Sequence, residues 1–255
     1  MTPPITRLHY RAHLTHQPTS AAITQCCANI RRLQSQHLIL TAALYQYNHM
    51  LFLYYEASGS PIQVIEPIQA AAPSPSLPLE SGEDIQSDFQ RPEDLLSPLT
   101  PYLAAWPGQT AQRTWVHMYH IFCHSYPQSL QQWARPSAPS LRRGRIAFLR
   151  EDKLFSYIYY HKALVDEGLI KGDKYQSIAL HENILFSYFE EPKTIVNIQN
   201  DSARESRILP DWIAADPESH FIHMPGSNGE NFLFLPALFA LGIEDEKGTQ
   251  SHEQI

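Results

Sequence analysis

Tyr157 and His161 stand four residues apart in a stretch, Lys153 to Gly168, whose apolar residues Leu154, Ile158, Leu164 and Val165 fall at helical spacing. Side chains four apart stack on one face of a helix, so the phenol and the imidazole share the face turned toward the core. A histidine near neutrality can move a proton to or from a hydroxyl or ring oxygen, which makes the two a candidate acid/base pair. A buried histidine bonded to a neighbouring tyrosine is the structural alternative. Arg145, His181, Tyr188 and Glu190 lie on strand parities that could face the pair.

A second group comes from the N-terminal part. Strand alternation puts His9, Arg11 and His13 on one face and Leu8, Tyr10, Ala12 and Leu14 on the other. In the run Met118–His124, His120 and His124 share a face, and Tyr54 and Glu56 have matching parity in a hairpin strand. Aromatic faces with His, Arg and Glu around them are the groups a sugar site uses. The other reading is a polar sheet face, or an interface between halves held by hydrogen bonds. Histidines two apart on a strand are about 7 Å apart, wide for two ligands of one ion, so no metal is expected.

These residues need elements to carry them, and the elements come twice. Leu51-Phe52-Leu53-Tyr54-Tyr55-Glu56 returns 134 positions later as Leu185-Phe186-Ser187-Tyr188-Phe189-Glu190. At the same offset Arg11 meets Arg145, Leu44 meets Ile178, and Asn48-His49 meets Glu182-Asn183. Each copy reads as strand, helix, hairpin, irregular stretch and last strand. In the first copy these are Leu8–Leu14, a helix over Thr19–Gln36 with Thr19 or Ser20 as N-cap, Leu40–Tyr47 and Met50–Glu56, and Met118–His124. In the second they are Arg145–Arg150, Lys153–Gly168, Tyr175–His181 and Ile184–Glu190, with a last strand within Phe232–Leu241.

This is the ferredoxin-like plan. A sheet with helices on one face leaves the other bare, and two such sheets packed together cover both. The expected fold is therefore α+β: tandem ferredoxin-like units whose antiparallel sheets pair within one chain into an arrangement like a dimeric α/β barrel. The units expected are 1–137, interrupted by a Pro/Ser-rich insertion at 57–92 read as a mobile loop, and 138–242. Residues 243–255 are expected to be a disordered polar tail.

The formal charge of −7 argues against a general nucleic-acid surface. The three cysteines, Cys26, Cys27 and Cys123, fit no disulfide framework or zinc spacing. With no signal-like or membrane-spanning run, the expectation is a cytoplasmic protein without membrane partners.

The second copy resembles the L-rhamnose mutarotase family of the dimeric α/β-barrel superfamily. The resemblance is carried by Arg145-Ile146-Ala147-Phe148, by Tyr157 and His161, by Tyr175–Leu180, and by Asn183-Ile184-Leu185-Phe186 ending at Glu190. It spans about 50 residues. It implies interconversion of sugar anomers without metal or cofactor, with Tyr157 and His161 in the active site. The chain departs from the family at Lys162–Glu167, where a proline- and tryptophan-containing stretch is absent, and only Trp212 loosely answers the family's paired tryptophans. The function expected is a cofactor-independent sugar mutarotase or isomerase, with a possible homodimer. A non-catalytic carbohydrate or small-molecule binding protein is the alternative, and a haem or oxygenase-type oxidoreductase of the same superfamily a third.

Overall fold

The computed structural model describes residues 5–58, 91–107, 113–123, 125–168, 170–193, 199–200 and 205–246. The first half opens with β1 (Ile5–His13), α1 (Ser20–Ser35), β2 (Ile39–Tyr47) and β3 (Met50–Ser58). Thr19 caps α1, its hydroxyl accepting from the Ala22 amide. The helix buries Ala22, Cys26, Ile30 and Leu33, and each large aliphatic side chain so covered contributes about 1.5–3 kcal/mol. After α2 (Pro92–Leu95) come β4 (Trp115–His117), β5 (Tyr119–Cys123) and α3 (Leu130–Trp133).

The second half repeats the plan with β6 (Leu141–Leu149), α4 (Leu154–Glu167), the short β7 (Ile170–Lys171), β8 (Ser177–His181) and β9 (Ile184–Glu191). Gly168, in the left-handed region at φ 66°, ends α4. Then follow β10 (Gln199–Asn200), α5 (Ile208–Ala214), β11 (Phe221–Ile222), β12 (Leu233–Phe234) and β13 (Ala237–Gly242). Both hairpins turn on a left-handed residue, Asn48 at φ 51° and Glu182 at φ 55°, 134 positions apart.

Two antiparallel sheets result, ordered β13-β2-β3-β1-β4 and β11-β6-β9-β8-β5, with β12 also on β6. The fold is α+β, with two ferredoxin-like halves placing their sheets face to face in the manner of a dimeric α/β barrel. The last strand of each half is not one strand. It breaks, at Met118 in the first half and at Leu235-Pro236 in the second. One piece pairs with its own first strand, β4 on β1 and β12 on β6. The other crosses to the opposite sheet, β5 onto β8 and β13 onto β2. The exchange is reciprocal, and each crossing strand carries a register shift, between His120 and Phe122 and between Ala237 and Phe239. Pro236 lacks the amide a continuous ladder needs.

Each sheet has a helix-covered outer face. Ala12, Leu44, Leu51, Leu53 and Tyr55 pack under α1, and Ala147, Ile178, Leu180 and Leu185 under α4. Between the sheets lie Tyr45, Phe52, Tyr54, Ile146, Phe186 and Tyr188. Gly144 allows the close approach there, since a Cβ on it would stand 2.6 Å from the Tyr45 ring.

The register corrects the single offset read from the sequence. Ala12 faces Leu51 while Ala147 faces Leu185, so the first strands are related by 135 positions and the hairpins by 134. Arg11 and Arg145 are therefore not equivalent: Arg11 points between the sheets and Arg145 toward α4. Of the 57–92 insertion, Ala57 and Ser58 end β3 and Pro92 starts α2, and most of the remainder lies outside the described residues. The tail expected from 243 begins instead with a 3-10 turn, Ile243–Glu246. It is held because Glu244 and Asp245 both pair with Arg142.

Candidate functional site

Three polar clusters gather the residues singled out in the sequence. The first lies between the sheets. The Tyr54 and Tyr188 rings stack with centroids 3.7 Å apart. Tyr54 donates to Glu56 at 2.6 Å and Tyr188 to Glu190 at 2.7 Å. Arg135 spans both carboxylates, at 2.8 Å from Glu56 and 2.7 Å from Glu190, and its guanidinium lies 4.1 Å from the centre of the Tyr175 ring. Burial pushes the Glu56 carboxyl up, but Arg135, Arg7 and Tyr54 outweigh it and hold the pKa at about 2. Arg135 was missed in the sequence because it stands in an irregular segment with no periodicity to mark it.

His9 is fully buried beside this cluster, its ring 4.9 Å from Tyr54 and 5.5 Å from Phe186. Its Nδ1 lies 2.7 Å from Nε2 of His120, and its Nε2 lies 3.1 Å from the Ser177 hydroxyl. His120 Nδ1 continues the chain to Cys123 Sγ at 3.6 Å. Burial, and then Arg7 and His117, lower the His120 pKa to about 3, and burial and His120 lower that of His9. The polar face of β1 is thus the face that joins the two halves. His124 lies outside the described residues.

The second cluster sits at the far end of β1. The Trp106 ring is approached by Arg11 at 4.9 Å, His13 at 5.0 Å and His181 at 5.4 Å. Arg11 reaches Glu182 on the opposite sheet at 2.7 Å. Burial, then Arg11, lower the pKa of both His13 and His181.

The third cluster lies between α4 and its sheet. Tyr157 is fully buried, and the His161 ring stacks on it at 3.9 Å. His161 Nδ1 lies 2.9 Å from the Tyr157 carbonyl. A carbonyl only accepts, so Nδ1 carries the hydrogen and Nε2 the lone pair. Burial lowers the His161 pKa to about 4, with His220 acting in the same direction and the carbonyl contact against it. Trp212 of α5 packs 5.3 Å from His161 and 4.8 Å from His220. His220 is fixed in turn, Nδ1 3.0 Å from the Asp216 carbonyl and Nε2 2.7 Å from the Ser156 hydroxyl. Arg145 lies under the same helix, 4.4 Å from the Phe232 ring centre and 5.2 Å from that of Phe189, and makes no ion pair among the described residues. Of the strand residues expected near Tyr157 and His161, Arg145 is there. Tyr188 and Glu190 point to the other side of the sheet, because alternation puts them on the same face as Phe186. His181 belongs with Trp106. Trp212 was named only through the family resemblance, and His220 carried no periodic signal, standing in irregular sequence.

Two clefts flank Arg135. One, of about 340 Å³, is lined by Leu40, Leu130, Trp133, Ile243 and Glu244. The other, of about 240 Å³, is lined by Asp173, Lys174, Tyr175 and Glu190. Among the described residues no three His, Cys, Asp or Glu side chains are grouped to hold a metal ion, and no helix is long and apolar enough to cross a membrane.

The class these features define is a single-chain dimeric α/β barrel, with its polar groups both between the sheets and beneath the second helix. A proposed monooxygenase of Lactobacillus acidophilus NCFM is similar in structure, with a TM-score of 0.40 and 7% sequence identity over 95% of this chain and 97% of that one. A proposed monooxygenase of Fusobacterium nucleatum gives a TM-score of 0.40 and 7% identity over 94% and 95%. No family model and no curated protein matches the chain.

Proposed function

We propose that the protein is a cofactor-independent isomerase of small hydroxylated molecules, of the sugar mutarotase type, working beneath α4. The observation that carries the reading is His161, kept neutral by burial and fixed in one tautomer by the Tyr157 carbonyl while stacked on the Tyr157 ring. Such an imidazole offers Nε2 as a base across the neutral range. In a pyranose, Nε2 takes the proton of the anomeric O1–H as the C1–O5 bond breaks. The electron pair of that bond goes to O5, which takes the Tyr157 phenol proton. The aldehyde at C1 turns about C1–C2 and closes on its other face, and both protons return. Burial raises the Tyr157 pKa and Arg145 works against it, so Arg145 stabilises the phenolate in this step. The aromatic rings of Trp212 and Phe232 suit the C–H faces of a sugar.

The test is anomeric exchange by saturation-transfer NMR on a panel of free sugars that includes L-rhamnose. Acceleration over buffer supports the proposal; none across the panel sinks it. A second reading, a non-catalytic small-molecule binding protein, is favoured by the apolar cleft of about 340 Å³ beside Trp133. It predicts ligand binding that survives His161→Ala.

A further inference from the structure

The Trp106 cluster has an imbalance that neither half's fold explains. Arg11 is 3% exposed and uses one nitrogen, Nη2, on Glu182. Its Nε and Nη1 are buried without a partner among the described residues, as are Arg113 Nε and His181 Nδ1. Arg113 belongs to the same place: its carbonyl accepts from the Trp106 amide at 2.7 Å, and its charge is among those acting on His181. A buried N–H left unmade costs about 1–3 kcal/mol, more on a charged group. Among the described residues the carboxylate paired with this cluster is that of Glu182, whose side chain is 58% exposed; it acts on Arg11, His13 and His181, with the Arg113 cation close by. Glu182 also occupies a left-handed turn position that its counterpart fills with Asn48. A glutamate is less at ease there than an asparagine, so its carboxylate is placed at a backbone cost.

We propose that Arg11 and His181, against the Trp106 ring, together with Arg113 beside them, form a binding site for a small oxyanion, the group shared by carboxylates and phosphates. An oxyanion accepts hydrogen bonds from guanidinium and imidazole N–H groups, and here it would complete the sets that Glu182 leaves open. The site is separate from His161 and independent of the reaction proposed there.

The experiment titrates the full chain with inorganic phosphate and, separately, with acetate, at ionic strength held constant with sodium chloride. It follows the melting temperature and tryptophan fluorescence. The expected result is a saturable rise in melting temperature and a fluorescence change that is lost in Trp106→Phe. The stronger of the two anions tells phosphate from carboxylate. Arg11 bridges the halves and its variants can fail to fold, so the informative changes are peripheral. Arg113→Gln weakens binding at least tenfold, whereas Glu182→Gln, which removes the competing carboxylate, tightens it at least threefold. These opposite signs are not what a merely structural role produces. Absence of a saturable response to either anion, or the same response in both variants, overturns the proposal.

Discussion

The rings of Tyr54 and Tyr188 lie one on the other, 3.7 Å between centroids and 14° apart in tilt, and each hydroxyl donates to the glutamate two residues further along its strand. The two tyrosines are the same position of the two copies, 134 residues apart, so the stack marks where the halves meet about their approximate two-fold relation. Arg135 has no such counterpart and joins both glutamates.

Removing that arginine takes the nearest cation from two buried carboxylates and leaves only Arg7 near Glu56 and Arg142 at 3.9 Å from Glu190. Arg135→Met should destabilise the protein by about 3–5 kcal/mol, read as the shift in urea midpoint. Adding Glu56→Gln and Glu190→Gln to the same variant should restore most of the loss, because neither buried side chain then carries a negative charge.

The burial of His120 makes stability sensitive to mild acid. His120 is lowered to about 3 in the folded protein, chiefly by burial, against about 6.5 when unfolded. The unfolded chain therefore binds the proton first, and stability is lost as the pH falls from about 6.5 toward 3. At pH 5 this one group accounts for about 2 kcal/mol. Denaturant titrations at pH 7 and pH 5 should show the loss in the wild type and a smaller one in His120→Phe. The Glu56 carboxyl adds its own loss lower down, between about 4.5 and 2.

Gly144 is a steric prediction. An alanine there would meet the Tyr45 ring at 2.6 Å and, as overpacking, should cost about 1–3 kcal/mol. Tyr45→Leu in the same chain should relieve part of it, which a double-mutant cycle in urea would measure.

The pH dependence of the proposed reaction follows from His161. Its pKa is lowered to about 4, by burial above all, so the base form predominates throughout the neutral range. The exchange rate should be level from about pH 5.5 to 8 and fall on the acid side with an apparent pKa near 4. A fall centred near 6.5 would mean that an exposed histidine carries the base.

Much of this architecture was legible in the sequence. The Leu-Phe-x-Tyr-x-Glu repeat locates both hairpin strands, and Thr19 and Gly168 mark helix ends by their cap chemistry. The sidedness of Tyr188 and Glu190 relative to Arg145 was not legible, because a shift of one residue in the pairing turns a strand position to the opposite face. The exchange of last strands was half visible: Pro236 interrupts its apolar run, but nothing in Trp115–Cys123 shows that the chain bends at Met118. The polar face of β1 was read correctly as a face, with either a pocket or an interface open to it. Its burial against the other half depends on contacts from His9 to His120 and to Ser177, each more than a hundred residues further along the chain.

The most direct test of the account compares wild type, His161→Ala and Tyr157→Phe in anomeric exchange by saturation-transfer NMR, using the sugar that the wild type accelerates most. The account predicts that His161→Ala abolishes the acceleration, that Tyr157→Phe slows it at least tenfold, and that Tyr188→Phe, on the other side of the sheet, leaves it largely unchanged. Exchange that persists undiminished in His161→Ala would contradict the placement of the chemistry beneath α4.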